Sequence, residues 1–145
     1  MNKWTDKFIE NYIEIYADGA CRGNGKENNI GAIGVVLKYG DRIKEIKEAY
    51  TNTTNNKMEI LSVIEGLKAL KLYNIPVKIY SDSQYVVNTI NCNWSKTKNI
   101  DLWKQLYDCL SKLSNYEIIW VKGHSDNIYN NRADQLANEA MDALK

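Results

Sequence analysis

Four acidic residues, Asp18, Glu59, Asp82 and Asp134, stand where a solvated charge is not the simplest explanation. Asp18 follows the run Ile13-Glu14-Ile15-Tyr16-Ala17 and Asp82 closely follows Val77-Lys78-Ile79-Tyr80, so each falls where a strand is expected to end. Glu59 opens a long helical pattern at the rim of its apolar arc, and Asp134 lies one turn into the last helix, beside the arc rather than opposite it. A carboxylate placed beside a core is costly unless something binds it. Clustered hard oxygen ligands select Mg²⁺ or Mn²⁺ over softer metals. Two such ions roughly 3.5–4 Å apart can activate water and stabilise the leaving oxygen of a phosphodiester. Taken singly, each acid is better explained as a cap, a dipole partner or a surface charge. Together, each in a distinctive neighbourhood, they favour a shared site.

The elements that must bring them together can be followed along the chain. Ile13 to Ala17 alternates as a strand, which Asp18-Gly19 and Gly23-Asn24-Gly25 are expected to break. Gly31 to Tyr39 and Ile43 to Tyr50 read as two further strands around a tight turn at Gly40-Asp41, making an antiparallel meander. Thr51 to Glu59 is dense in capping residues. A helix then carries Ile60, Val63, Ile64, Leu67 and Leu70 on one arc and ends at Asn74-Ile75-Pro76. Val77 to Tyr80 is a short strand, and Ser83 or Asp82 can cap a helix over Gln84 to Ile90. A helix from Asp101 to about Leu113, a strand from Tyr116 to Lys122 and a helix from about Asn130 complete the order β-β-β-α-β-α-α-β-α. The last helix is expected to bury Ala133, Leu136, Ala137, Ala140 and Leu144. Helix–strand–helix succession implies parallel pairing, so the fold class is α/β with a mixed sheet and helices on its faces. In such sheets, strand ends and nearby helix termini form the natural crevice for a site.

The totals restrict the alternatives. At 145 residues the chain reads as a single domain, 1–145, with residues 1–8 a lead-in in which Trp4 and Phe8 cover an edge of the core. Charged residues are 26% and hydrophobic ones 44%, ordinary for a globular protein. No apolar run approaches the length of a membrane span, and the N-terminus lacks the apolar core of a signal peptide, which points to the cytoplasm. Cys21, Cys92 and Cys109 form no C-x-x-C pair and His124 is the only histidine, which argues against a zinc site and fits a reducing compartment. The net charge of +1 neither demands nor excludes a nucleic-acid partner.

Six blocks carry a resemblance: Tyr16-Ala17-Asp18-Gly19-Ala20-Cys21, Thr53-Thr54-Asn55-Asn56-Lys57-Met58-Glu59, Tyr80-Ser81-Asp82-Ser83-Gln84-Tyr85-Val86, Asp101-Leu102-Trp103, Trp120-Val121-Lys122-Gly123-His124, and Asn131-Arg132-Ala133-Asp134-Gln135-Leu136-Ala137. In order and spacing they resemble the type 1 ribonuclease H family, endonucleases that cut the RNA strand of an RNA–DNA hybrid, from about Ile13 to Leu144. The resemblance implies a ribonuclease H-like fold: a five-stranded mixed sheet, three antiparallel strands then two parallel additions, with helices on both faces. It implies that Asp18, Glu59, Asp82 and Asp134 hold two Mg²⁺ ions, with Mn²⁺ a possible substitute, and that cleavage leaves 5′-phosphate and 3′-hydroxyl ends. His124 would assist proton movement or product release, although an exposed loop residue would look the same.

The same resemblance implies that Cys21, Asn24, Asn55, Asn56 and Gln84 line the groove that reads 2′-hydroxyls and the DNA backbone, with Thr54 helping to hold a DNA phosphate. Side-chain amides can both donate to and accept from a 2′-hydroxyl. Asx turns, caps and a core thiol are the bland alternatives for these residues. One departure is notable: where many members insert a basic, tryptophan-rich protrusion, Ile90 to Asn99 is short and holds two lysines. Less phosphate-neutralising charge predicts weaker, less salt-dependent hybrid binding, partly offset by Trp94 and Lys96. The expected partner is an RNA–DNA hybrid, with no membrane and a monomeric enzyme. A non-catalytic hybrid-binding module and another nuclease of the same superfamily remain as rivals; the four acids speak against the first and the amide set against the second.

Overall fold

The computed structural model describes residues 11–92, 98–123 and 126–144. Its strands are β1 (Ile13–Arg22), β2 (Ile30–Tyr39), β3 (Arg42–Thr51), β4 (Val77–Ser81) and β5 (Tyr116–Trp120). Its helices are α1 (Asn55–Lys68), α2 (Gln84–Asn91), α3 (Ile100–Ser111) and α4 (Ile128–Leu144). The five strands form one sheet in the order β3-β2-β1-β4-β5. β1, β2 and β3 pair antiparallel as a meander, and β4 and β5 add in parallel beside β1. The mixed α/β architecture expected from the sequence is therefore the one observed.

Alternation along β1 and β2 explains why both faces carry helices. Ile13, Ile15, Ala17, Val35 and Leu37 enter the larger core with Ile60, Val63, Ile64 and Leu67 of α1 and Trp103, Leu106 and Leu110 of α3. Tyr16, Val36 and Ala32 point the other way and meet Ala133, Leu136, Ala137, Ala140 and Met141 of α4. Trp103, only 1% exposed, ties α3 to α2 by donating its indole N–H to the Tyr85 hydroxyl at 2.9 Å. Burying an aromatic of this kind with its polar end satisfied stabilises by about 2 kcal/mol.

Three expectations are corrected. β1 does not break at Asp18-Gly19 but runs on to Arg22, paired with β2 throughout. Gly19, with no side chain, lets the strand continue beneath α1, while Ala20 faces α4 on the other side. α1 stops at Lys68, with Ala69 as its cap, so Leu70 is buried from a turn and not from the helix. In α4 the apolar stripe closes on Met141, and Leu144 is 44% exposed. Trp4, Phe8, Trp94 and Lys96 lie outside the described residues. Among those described, no helix is long and apolar enough to cross a membrane.

Candidate active site

β1 and β4 run parallel in register from Ile13 opposite Val77 to Ala17 opposite Ser81. The next residues on the two paths are Asp18 and Asp82, so two carboxylates emerge side by side where β4 ends and β1 continues. Beyond that point β1 has lost its neighbour on the β4 side. The Gly19 N–H, on the same edge as the Ile13 N–H that donates to Pro76 O, donates instead to Glu59 Oε1 at 2.7 Å. An amide orphaned by the end of a strand thus orients the third carboxylate.

Two glycines decide how closely the helices approach. A Cβ on Gly19 would lie 2.2 Å from the Met58 carbonyl carbon and 2.4 Å from the Glu59 nitrogen, so only glycine lets α1 rest on β1 there. Gly34, the β2 partner of Asp18, would place a Cβ 2.0 Å from the Ala133 oxygen. α4 is therefore seated against backbone directly across from Asp18, and Asp134, the residue after Ala133, comes within hydrogen-bonding reach of Asp18. Neither glycine was singled out for this in the sequence. For Gly34 the available signal was a glycine inside the otherwise β-branched run Ile33-Gly34-Val35-Val36.

One ligand oxygen from each of Asp18, Glu59 and Asp82 lies within 4.8 Å of the others. Asp18 is buried, Glu59 and Asp82 half-buried. Burial pushes the Asp18 carboxyl far above the ordinary carboxylate range, and the charges of Glu59, Asp82 and Asp134 push it further. Burial and the charge of Asp82 raise Glu59 to about 8, against the stabilising N–H of Gly19. Asp82 is raised as well, burial leading, while hydrogen bonds to Asp18 and Glu59 oppose the rise. Same-sign groups crowded at low dielectric cannot all ionise without a counter-charge. Hard oxygen donors arranged this way fit a divalent cation.

The chain beyond β5 closes over Asp82. Trp120 Nε1 donates to the Asp82 backbone oxygen at 3.2 Å, and a Cβ on Gly123 would sit 3.1 Å from Asp82 Oδ2. His124, the next residue, lies outside the described residues. The residues expected to contact substrate lie at the end of β1, in the turn after it, and at the starts of α1 and α2. Asn24 Oδ1 accepts from the Asn55 N–H at 3.2 Å, Thr54 caps α1 by accepting from the Lys57 N–H at 3.1 Å, and the half-buried Cys21 thiol faces Thr53 O at 3.8 Å. Asn55 and Asn56 open α1 on its exposed side, and exposed Gln84 opens α2 two residues after Asp82. Ser83, not Asp82, caps α2, accepting from the Val86 N–H at 3.2 Å, which leaves Asp82 available to the cluster. A cavity of about 710 Å³ lined by Lys57, Asn99, Ile100, Asp101 and Leu102 opens between the first turns of α1 and α3.

Known proteins share this arrangement of chain. A family model described as RNase H matches residues 10–142. The chain is 53% identical over 144 residues to the Ribonuclease H of Clostridium botulinum, covering 90% of this chain and 95% of that one. Among solved structures it is similar to RNase H1 of the halophilic archaeon Halobacterium salinarum, with a TM-score of 0.75 and 31% identity over 91% of this chain and 98% of the other. It is also similar to LC11-RNase H1, solved in complex with an RNA/DNA hybrid, with a TM-score of 0.77 and 26% identity over 92% and 99%. The matched span contains all five strands, α1 to α3 and all but the last two residues of α4, and the chain belongs to the RNase H family.

Proposed function

We propose that this protein is an endoribonuclease that hydrolyses the RNA strand of RNA–DNA hybrids, with Asp18, Glu59, Asp82 and Asp134 holding two divalent cations, Mg²⁺ or Mn²⁺. The observation that carries the reading is the cluster of Asp18, Glu59 and Asp82 within 4.8 Å, in a chain of this family. The chemistry such ions supply is activation of a water nucleophile and stabilisation of the leaving oxygen. Asp18, the most buried acid and flanked by the other three, would be the shared ligand. Glu59 would be oriented by the Gly19 N–H, and Asp82 by the Trp120 indole on its backbone. Cleavage leaves 5′-phosphate and 3′-hydroxyl ends.

His124 would assist proton movement or product release, since it follows the glycine packed on Asp82. Cys21, Asn24, Asn55, Asn56 and Gln84 would contact 2′-hydroxyls and the DNA backbone, and Thr54 a DNA phosphate. The hybrid bound to the similar LC11-RNase H1 supports this substrate. The chain is read as one catalytic domain acting as a monomer in the cytoplasm. Support comes from the charges along the edge strand β3, Lys44, Glu45, Lys47 and Glu48, which discourage pairing with a second sheet, and from free thiols at Cys21, Cys92 and Cys109.

Labelled hybrid incubated with Mg²⁺ or Mn²⁺, beside single-stranded RNA, duplex RNA and duplex DNA, tests the reading. Cleavage confined to the RNA of the hybrid is expected. Hybrid binding without cleavage at saturating metal would establish a binding module instead, and cleavage of duplex DNA a different nuclease.

A further inference from the structure

Residues 23–29, which join β1 to β2, are exposed except for one, and that one is polar. Asn29 is 8% exposed and makes side-chain hydrogen bonds in two directions. Its Oδ1 accepts from the Thr53 N–H at 2.8 Å, and its Nδ2 donates to Thr53 O and to Lys26 O, each at 3.0 Å. Both amide hydrogens are thus used, and both backbone polar groups of Thr53 are held by one side chain. The Asn29 carbonyl in turn accepts from the Asn52 N–H at 3.0 Å, and Asn52 Oδ1 accepts from the Asn28 N–H at 3.2 Å. Asn28 and Asn52 both take positive φ, 58° and 54°, which turns the two segments towards each other.

Two further observations give this clamp a consequence for the site. Thr53 immediately precedes Thr54, the cap of α1, and Asn55 and Asn56 follow, so Asn29 anchors the backbone that presents them. The loop on the other side has few ties of its own. Gly23 and Gly25 sit at φ 72° and 87°, and inside the turn the Lys26 N–H donates to Gly23 O at 2.9 Å. Among the described residues, its side-chain link to α1 is Asn24 Oδ1 accepting from the Asn55 N–H, at the long distance of 3.2 Å. Cys21 is fixed within β1 and α1 rests on Gly19, so what Asn29 adds is the tie between the turn that carries Asn24 and the backbone that leads into Asn55 and Asn56.

We infer that Asn29 is a positioning residue for substrate recognition, holding the β1–β2 turn and the first turn of α1 at the separation that reads a 2′-hydroxyl. The inference rests on the proposed groove. Asn29→Ala would leave the buried Thr53 N–H without its partner and its carbonyl with only the weak Cys21 thiol contact, and the two segments would drift apart. Metal ligation would be untouched, because Glu59 is held by Gly19 and Asp18 by β2 and α4.

The test compares wild type, Asn29→Ala and Asn55→Ala on an RNA–DNA hybrid and on the same hybrid with one 2′-hydroxyl replaced by hydrogen next to the cleaved bond. For Asn29→Ala, KM is expected to rise about tenfold with kcat changed less than about threefold, and Mn²⁺ affinity by calorimetry to stay at the wild-type value. The penalty for removing the 2′-hydroxyl should shrink in this variant, as a coupled pair requires. An unchanged 2′-hydroxyl penalty, or a loss of metal affinity matching the loss in kcat/KM, would overturn the inference. If Asn29→Ala does not fold, the isosteric Asn29→Asp keeps the acceptor for Thr53 and loses both donated bonds, and the same readouts apply. Asn55→Ala separates the two levels. A raised KM there with a silent Asn29→Ala removes only the clamp, whereas no effect in either variant removes the groove itself.

Discussion

Helix α4 carries two charged clusters a few residues apart, and they are built on opposite rules. Arg132 donates from Nη2 to Glu45 Oε1 at 2.9 Å and from Nη1 to Glu139 Oε2 at 3.3 Å, while Lys47 also reaches Glu139 at 3.0 Å. That network is partly to largely exposed and alternates in sign, and its partners hold Glu45 and Glu139 below the usual carboxylate range. Asp134, two residues after Arg132, belongs to a cluster of one sign in which Asp18 is buried. The first cluster satisfies itself and asks nothing of a ligand. The second is satisfied only by protons or by a cation from outside. A buried group of like charges is costly to keep, and its retention marks chemistry more reliably than any count of salt bridges.

Disrupting the like-charge cluster should have the largest effect. Asp18→Asn is expected to lower kcat on the hybrid at least about 10³-fold with the far-ultraviolet circular dichroism unchanged, and near-wild-type turnover would refute the assignment. Gly34→Ala should come next. It drives a methyl group into the Ala133 carbonyl and is expected to cost about 3 kcal/mol in urea unfolding, with activity falling as α4 carries Asp134 away. In metal-free buffer near neutral pH Asp18→Asn should have the opposite sign, raising stability by about 2 kcal/mol because it removes a carboxyl that is ionised in the unfolded chain and must take up a proton to be buried.

The pH dependence follows from the same shifts. Asp18, Glu59 and Asp82 all have folded pKa values raised above their unfolded ones, so their contribution is complete below about pH 4 and is lost as pH rises, for Glu59 through about 8. Metal-free protein should therefore lose stability on this account between those limits, and saturating Mg²⁺ should flatten the loss, both read from thermal melts across pH. The smallest effect belongs to the paired cluster. Arg132→Ala should leave kcat unchanged and shift Tm only marginally, and a large loss of activity there would erase the contrast between the two clusters.

Much of this was legible before any coordinates. Alternation in Ile13 to Ala17 and Ile43 to Tyr50, and the 3.6-residue arc from Ile60 to Leu67, report burial directly, because each residue's environment there depends on local periodicity. The Asp82-Ser83 pair before Gln84 and the capping residues from Thr51 to Glu59 announce their helices for the same local reason, and the structure selects Ser83 and Thr54. Where the reading failed, the deciding contact was distant. Gly19 looked like a strand breaker but is a contact surface for α1, and Leu144 kept the helical period yet falls beyond the sheet that α4 covers. Asn29 carries no signal in the sequence, because nothing near it along the chain reveals that it is buried against Thr53.

The sequence by itself determined the order of the elements, the four candidate acids and the family, since these depend on residue type and spacing along the chain. Only the tertiary structure decided that Asp18 lies within a continuous strand and not at its end, and that Glu59 turns onto the Gly19 amide. It alone decided that α4 comes close enough at Gly34 to deliver Asp134. The reason is physical: a carboxylate becomes a ligand through what surrounds it in space, and residues 18, 59, 82 and 134 meet only when a parallel strand ends early and two helices rest on glycine backbone.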